Sequence, residues 1–282
     1  MTKTLTFLSD FGTRDSYVAE VKGVVGAFDP EIQVVDITHW IEPGDITQAS
    51  FVLTHSYTYF RKGSCHLVVV DPGVGSERDI IALVTDRYTF VAPDNGVLWE
   101  VFQKEQNGTV HRLEAAKLFT AVEKSYPDNP VLLRLVKNGP SATFHGRDLF
   151  APFAACILGD HPLEEISERK DALVSHEILR PVVKDDRVMG AVVYVDRFGN
   201  LISNIEGRLV SESDEVFIKT GSSVTSVGTL RGSYSQQKAG VPLPLIGSRG
   251  YLEIAVNRAS AREHFDANTG DEVLVLKREN HT

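Results

Sequence analysis

Val68-Val69-Val70-Asp71-Pro72-Gly73-Val74-Gly75-Ser76-Glu77-Arg78 runs from an apolar stretch of strand length into a Pro/Gly turn. A carboxylate stands where the stretch ends, and an arginine follows seven residues later. Open α/β sheets bind their ligands outside the carboxyl ends of strands, so Asp71 and Arg78 stand where chemistry is expected. On these residues alone, the other reading is a turn in which Asp71 caps backbone amides and Arg78 is solvated.

Outward from this stretch, strands and helices alternate. Thr4 to Leu8 reads as a buried strand and Ser9 to Ser16 as the loop after it. Tyr17 to Phe28 follows with helical spacing, Val18, Val21, Val24 and Val25 sharing one face. Asp15 or Ser16 suits the N-cap, where a side-chain oxygen accepts from the first-turn amides. Asp10, at the strand end, either caps the loop or accepts the two hydroxyls of a ribose-like diol. Ile32 to Ile37 is a further strand, Thr38 to Asp45 a loop whose His39 is taken as structural, and Ile46 to Phe60 a helix. Ile80 to Val84 and Tyr88 to Val91 form a strand pair turning at Asp86-Arg87, and a helix begins over Val97 to Phe102 after Pro93-Asp94-Asn95-Gly96. Between Gln103 and Pro140 the pattern weakens, with a loop at Pro127 to Pro130. It returns at Thr143-Phe144-His145-Gly146-Arg147-Asp148, before a small-residue helix over Leu149 to Leu158. This order predicts an N-terminal layered α/β domain with a mostly parallel sheet.

Beyond a charged stretch from Gly159 to Lys184 the period changes to two. Val188 to Val195, Glu215 to Lys219, Leu252 to Val256 and Glu272 to Leu276 read as strands joined by Gly-, Ser- and Asp-rich turns, which predicts a smaller all-β, barrel-like domain. The expected domains are 1–175 and 176–282. A net charge of −9 over 282 residues disfavours nucleic acid or an anionic membrane as partner and favours a small molecule. The two cysteines, Cys65 and Cys156, form neither a zinc spacing nor a disulfide framework and read as buried reduced thiols. With no signal-peptide layout and no apolar run of membrane-spanning length, a cytoplasmic protein is expected.

Ser9-Asp10-Phe11-Gly12, Val70-Asp71-Pro72-Gly73-Val74-Gly75, Pro93-Asp94-Asn95-Gly96, Thr143 to Asp148, Phe198-Gly199-Asn200 and Ser248-Arg249-Gly250 together make an ordered set. From about Leu5 to about Leu276 the chain resembles the S-adenosyl-L-methionine (SAM) hydroxide adenosyltransferases, hydrolytic relatives of the fluorinase and chlorinase. The resemblance implies hydrolysis of SAM to adenosine and L-methionine, with no cofactor and no metal. It also implies a homotrimer with active sites between neighbouring subunits. Water activation falls on Asp71, Arg78 and His145. Asp10 would bind the ribose hydroxyls, Asn200 the adenine edge and Phe198 the adenine ring. Asp196 would take the methionine ammonium, with Ser248 and Arg249 on the carboxylate end. Glu253 and Val256 stand at positions that look like nucleoside contacts, and Asp15 is placed near methionine.

Where the fluorinase has a tyrosine, a threonine and a halide-binding serine, this chain has Asp71, Val74 and Gly146. The fluorinase's inserted segment is missing, and the chlorinase branch lacks the aspartate, arginine and histidine combination. These departures favour water over halide. Two alternatives stay open: a metal-dependent phosphoesterase using Asp10, Asp71, Asp94, Asp148 and His145, and a SAM- or nucleoside-binding protein without turnover.

Overall fold

The computed structural model describes residues 3–177 and 179–278. The chain divides into two compact units, Met1–His176 and Glu177–Thr282.

In the first unit, β1 (Thr4–Ser9), β2 (Gln33–Thr38), β3 (Cys65–Val69), β4 (Ile80–Val84), β5 (Thr89–Pro93), β6 (Thr109–Leu113) and β7 (Ser167–Lys170) form one sheet in the order β2-β1-β3-β5-β4-β6-β7. The predicted parallel arrangement holds for β2-β1-β3-β5, while the three remaining pairings are antiparallel, so the sheet is mixed. β1 and β3 are buried along their whole length. Helices explain this: α1 (Tyr17–Phe28) turns Val18, Val21, Val24, Val25 and Phe28 into the core formed with Leu5, Phe7, Leu67 and Val69. Each such side chain contributes roughly 1.5–3 kcal/mol on burial. The functional consequence lies in register, because Ser9 of β1 is level with Val69 of β3. Parallel neighbours that end together bring Asp10 and Asp71 out at the same sheet edge.

Four expectations are corrected. α2 (Ile46–Thr54) stops short of Phe60, and a separate 3₁₀ turn covers Tyr57–Tyr59. The Ser56 hydroxyl donates to the Val52 and Leu53 carbonyls that would otherwise hold the next helical turn. After α3 (Trp99–Lys104), the weakly patterned stretch is structured: it supplies β6, α4 (Ala115–Ser125) and α5 (Pro130–Asn138). The loop expected at Pro127 to Pro130 is present between α4 and α5, and its last residues start the next helix: Asn129 Oδ1 accepts from the Val131 and Leu132 amides and Pro130 needs no donor there. Ser16 precedes α1 but does not cap it; its hydroxyl donates to Glu20 Oε1 at 2.7 Å, and Asp15 is exposed beside it. The helix predicted from Leu149 is α6 (Ala151–Leu158), entered through a π-turn over Gly146–Phe150. Cys65 and Cys156 are buried free thiols, both pushed up to about 12 by burial.

In the second unit, β8 (Val182–Val183) pairs with β9 (Arg187–Val195). β9, β10 (Leu201–Glu206), β11 (Glu215–Thr220), β12 (Ser223–Thr229), β13 (Pro242–Ile246), β14 (Tyr251–Val256) and β15 (Glu272–Leu276) run antiparallel in the order β12-β11-β15-β9-β10-β14-β13. The two ends of that order approach one another, and the Arg231 N–H donates to the Pro244 carbonyl at 2.8 Å. The result is a nearly closed barrel around Val188, Ile205, Val216, Leu252, Ile254 and Val273, with α7 (Ala261–Phe265) after β14. Among the described residues no helix is long and apolar enough to cross a membrane.

One buried group gives the first unit a pH signature. His66 on β3 is fully buried among Tyr57, Phe60, Tyr88 and Phe90, with Nδ1 2.8 Å from Thr6 Oγ1. Burial pulls its pKa down to about 3. The unfolded chain binds this proton near pH 6.5, so the stabilisation is complete above that value and is lost as pH falls toward about 3. Urea denaturation between about pH 7 and about pH 4.5 should show a loss of roughly 2–3 kcal/mol that His66→Phe lacks. Equal slopes in the two proteins would contradict the assignment.

Candidate active site

Two clusters carry the predicted site residues, one in each unit. In the first, Asp71 follows β3 and Asn95 Nδ2 holds the preceding carbonyl, that of Val70, at 2.9 Å. The Asp71-to-Arg78 segment then folds back through successive turns, Val74 N–H to Asp71 O and Ser76 N–H to Gly73 O. Arg78 Nε lies 2.9 Å from each Asp71 oxygen, and Nη2 also donates to Oδ2. Nη2 donates again, at 2.9 Å, to His145 Nδ1. The guanidinium lies over the Phe150 ring, 5.4 Å from its centroid, and both partners of the ion pair are largely withdrawn from water (side-chain exposure 12% for Arg78, 6% for Asp71). Arg78 is thus the link between the carboxylate and the imidazole.

Glycines let the backbone approach closely in this region, and at Gly75 no side chain fits. Gly75 has φ +80°, and a Cβ there would sit 2.6 Å from the Ala142 carbonyl. Its bare backbone lets the Asp71 loop approach the segment bearing His145. A Cβ on Gly146 would come within 3.1 Å of Phe11, so a larger residue there would crowd that ring. Downstream, Asp148 takes the Ser141 N–H at 2.9 Å and Arg147 Nε at 2.7 Å, clasping the turn on which His145 sits.

Charge and burial set the protonation states. Burial, then the Arg78 charge, hold His145 below the ordinary histidine value. Because Nδ1 accepts from Arg78, the neutral ring carries its proton on Nε2. Asp10 Oδ2 accepts the Gly44 N–H at 2.9 Å; burial raises this carboxyl above its usual value, the Gly44 bond opposes, and the Asp71 charge adds to the rise.

The second cluster lines a cavity of about 890 Å³ in the barrel unit. Asp196, Phe198, Asn200, Ser248, Arg249, Glu253 and Val256 all border it, so the seven positions predicted there converge on one concavity. Phe198 is 78% exposed, a large apolar ring facing solvent on its rim. Gly199 (φ +82°) is forced: a Cβ would lie 2.1 Å from Ser260 Oγ. Asp196 is heavily engaged in its own loop, Oδ1 accepting the Phe198 and Asn200 amides at 2.8 and 2.9 Å and Oδ2 the Asn200 side chain at 2.9 Å. It therefore orients Asn200 as well as offering negative charge. Gly247 makes room for Glu253, whose Oε2 would be 2.5 Å from any Cβ there. Burial pushes the Glu253 carboxyl up, while the Tyr234 hydroxyl, 2.5 Å from Oε1, pulls it down. Arg249 lies over the Tyr194 ring at 5.2 Å.

Residues 5–167 match the SAM hydroxide adenosyltransferase N-terminal domain, and residues 190–274 match the C-terminal domain of the same family. The chain belongs to the SAM hydroxide adenosyltransferase family. The chain is 34% identical over 270 residues to the (R)-S-adenosyl-L-methionine hydrolase of Thermus thermophilus, covering 96% of this chain and 98% of that protein. It is 31% identical over 283 residues to the enzyme of the same name from Methanocaldococcus jannaschii, covering 96% of this chain and 95% of that one. The crystal structure of an uncharacterized conserved protein from Thermotoga maritima superposes with a TM-score of 0.84 at 34% identity, covering 97% of this chain and all of that one.

Sequence reasoning missed Tyr194, Tyr234 and Phe150, which border or support the clusters. Nothing local marks them; only folding brings Tyr234 to Glu253, nineteen positions away. The metal-centred alternative loses two of its four carboxylates. Asp94 is bound by Lys170 Nζ at 2.6 Å and the Val174 N–H at 2.7 Å, and Asp148 by Ser141 and Arg147. Among the described residues no group of three or more His, Cys, Asp or Glu is disposed to hold a metal.

Proposed function

We propose that Asp71, Arg78 and His145 activate the water with which this enzyme splits SAM into adenosine and L-methionine. The observation that carries the reading is the single guanidinium bonded to both Asp71 and His145. The sulfonium leaves as a neutral thioether and needs no acid, so the difficulty rests with the nucleophile. Arg78 uses Nε and Nη2 on its two partners and keeps Nη1 uncommitted among the described residues, a fixed cationic donor for hydroxide. His145, its Nδ1 occupied, offers Nε2–H as a second donor. Asp71 is then the base. A water proton passes to Asp71 as its oxygen bonds C5′, the C5′–S pair goes to sulfur, and the proton is later released to solvent.

Asp10 on the ribose hydroxyls, Asn200 and Phe198 on adenine, and Ser248 and Arg249 on the methionine carboxylate supply orientation. Asp196 provides charge for the ammonium, Glu253 and Val256 border the nucleoside, and Asp15 is the outermost candidate near methionine. Fixing the reactants in line is worth roughly 7–11 kcal/mol, more than a general base alone supplies. The name of the Thermus and Methanocaldococcus relatives supports the (R)-configured sulfonium as the preferred substrate. The family resemblance also supports a homotrimer whose neighbouring subunits complete each site. Sedimentation should give the mass of three chains; the mass of one would contradict this.

In oxygen-18 water, an epimeric SAM mixture should yield labelled adenosine with the (R) form consumed first; unlabelled adenosine, or equal loss of both epimers, would count against the respective claims. Asp71→Asn should lower kcat about 10²–10⁴-fold. His145→Asn, which keeps an acceptor for Arg78, should retain more activity than His145→Ala. Equal loss in the two histidine variants would contradict a role for the Arg78–His145 bond in turnover.

A further inference from the structure

Beside Asp10 lies a polar chain, buried at Ser9 and His39 and reaching the surface at Asp36 and Lys22, that the chemistry above does not use. Ser9 Oγ is 2.8 Å from His39 Nδ1, His39 Nε2 is 3.1 Å from Asp36 Oδ1, and Lys22 Nζ is 2.6 Å from Asp36 Oδ2. The residue types are those of a hydrolytic triad, but Ser9 is fully buried and cannot meet a substrate. The ring is also reversed, with serine on Nδ1 and aspartate on Nε2, whereas a triad puts them the other way round. The chain is therefore a scaffold.

Its target is the turn from Ser9 to Gly12. Asp36 Oδ1 lies 3.1 Å from Nε2 without hydrogen-bond geometry, and its charge still favours the ring proton on that nitrogen, so Nδ1 accepts the Ser9 hydroxyl proton and leaves Oγ free to receive the Phe11 N–H, 3.4 Å away. The His39 carbonyl accepts the Gly12 N–H at 2.7 Å. One residue thus grips the turn on both sides of Asp10, by side chain before it and by backbone after it. His39 is itself held, 3% exposed and edge-on to Phe7 at 4.6 Å. Burial keeps it below the ordinary histidine value against the pull of Asp36, which suits a neutral ring that accepts on one side and carries its proton on the other.

We propose that His39 is a positioning residue for Asp10: anchored by Asp36, it fixes the Ser9–Gly12 turn so that the Asp10 carboxylate meets both ribose hydroxyls of the substrate. The inference rests on Asp10 being the diol-binding carboxylate, and the test separates the two.

Dissociation constants of the full-length protein for adenosine and 2′,3′-dideoxyadenosine are measured by calorimetry. Charge-assisted hydrogen bonds predict a preference for adenosine of about 10- to 100-fold in the unaltered protein, falling to near unity in Asp10→Ala. His39→Phe, which keeps a ring against Phe7, should lower the preference at least about threefold with circular dichroism unchanged. General loosening would weaken both ligands equally and leave the ratio alone. Should His39→Phe fail to fold, Ser9→Ala removes the same link with less disturbance and should also reduce the ratio. A full preference in the folded variant overturns the positioning role. A preference unchanged in Asp10→Ala overturns the diol reading, and this proposal with it.

Discussion

A single buried guanidinium governs the first cluster. Arg78 satisfies both oxygens of Asp71 and the Nδ1 of His145, and lies on the Phe150 ring. Withdrawn from water, such a pair is costly to break, since removing one partner leaves an uncompensated charge worth about 3–5 kcal/mol. The surrounding architecture serves this contact. Gly75 admits the Ala142 carbonyl, Asn95 holds the Val70 carbonyl and Asp148 clasps the His145 turn. Each removes a freedom that would otherwise let the three groups drift apart, which is how a preorganised site lowers a barrier without reorganising during the reaction.

In the proposed reaction the two clusters would divide the labour. The sheet-edge cluster is charged, tightly bonded and small, as suits activation of one water. The barrel cavity is large, rimmed by aromatic rings and carries its charges at separate points, as suits recognition of a nucleoside joined to an amino acid. Hydroxide meeting a sulfonium annihilates charge, so enclosure of the reacting atoms favours the step by withholding solvent from the separated ions. In the proposed reaction, burial of Asp71 and Arg78 would serve function as well as structure.

Legibility followed the reach of the signals. The spacing from Asp71 to Arg78 was visible because seven residues with a Pro/Gly turn can close a local ion pair, and α1 because its valines repeat at helical period. Strand ends carried Asp10 and Asp71, and parallel pairing made them neighbours. His145, sixty-seven positions from Arg78, could be linked to it only through family resemblance, as its own loop says nothing of a partner. Asp94 looked available from its Pro-Asp-Asn-Gly turn, yet Lys170 reaches it from β7, seventy-six positions away. Pro127 to Pro130 marked the loop between α4 and α5, while the helices on either side are too polar on average to stand out. The mixed character of the sheet was hidden for a similar reason: a hairpin such as β4-β5 declares its own direction, but not which edge of the parallel strands it joins.

The most direct test of the account is the tautomer of His145. Nitrogen-15 NMR of the imidazole near neutral pH should find Nδ1 unprotonated, accepting from Arg78, and Nε2 bearing the proton. A proton on Nδ1, or a doubly protonated ring, would contradict the arrangement in which Arg78 commits His145 to donate and leaves Asp71 to take the proton from water.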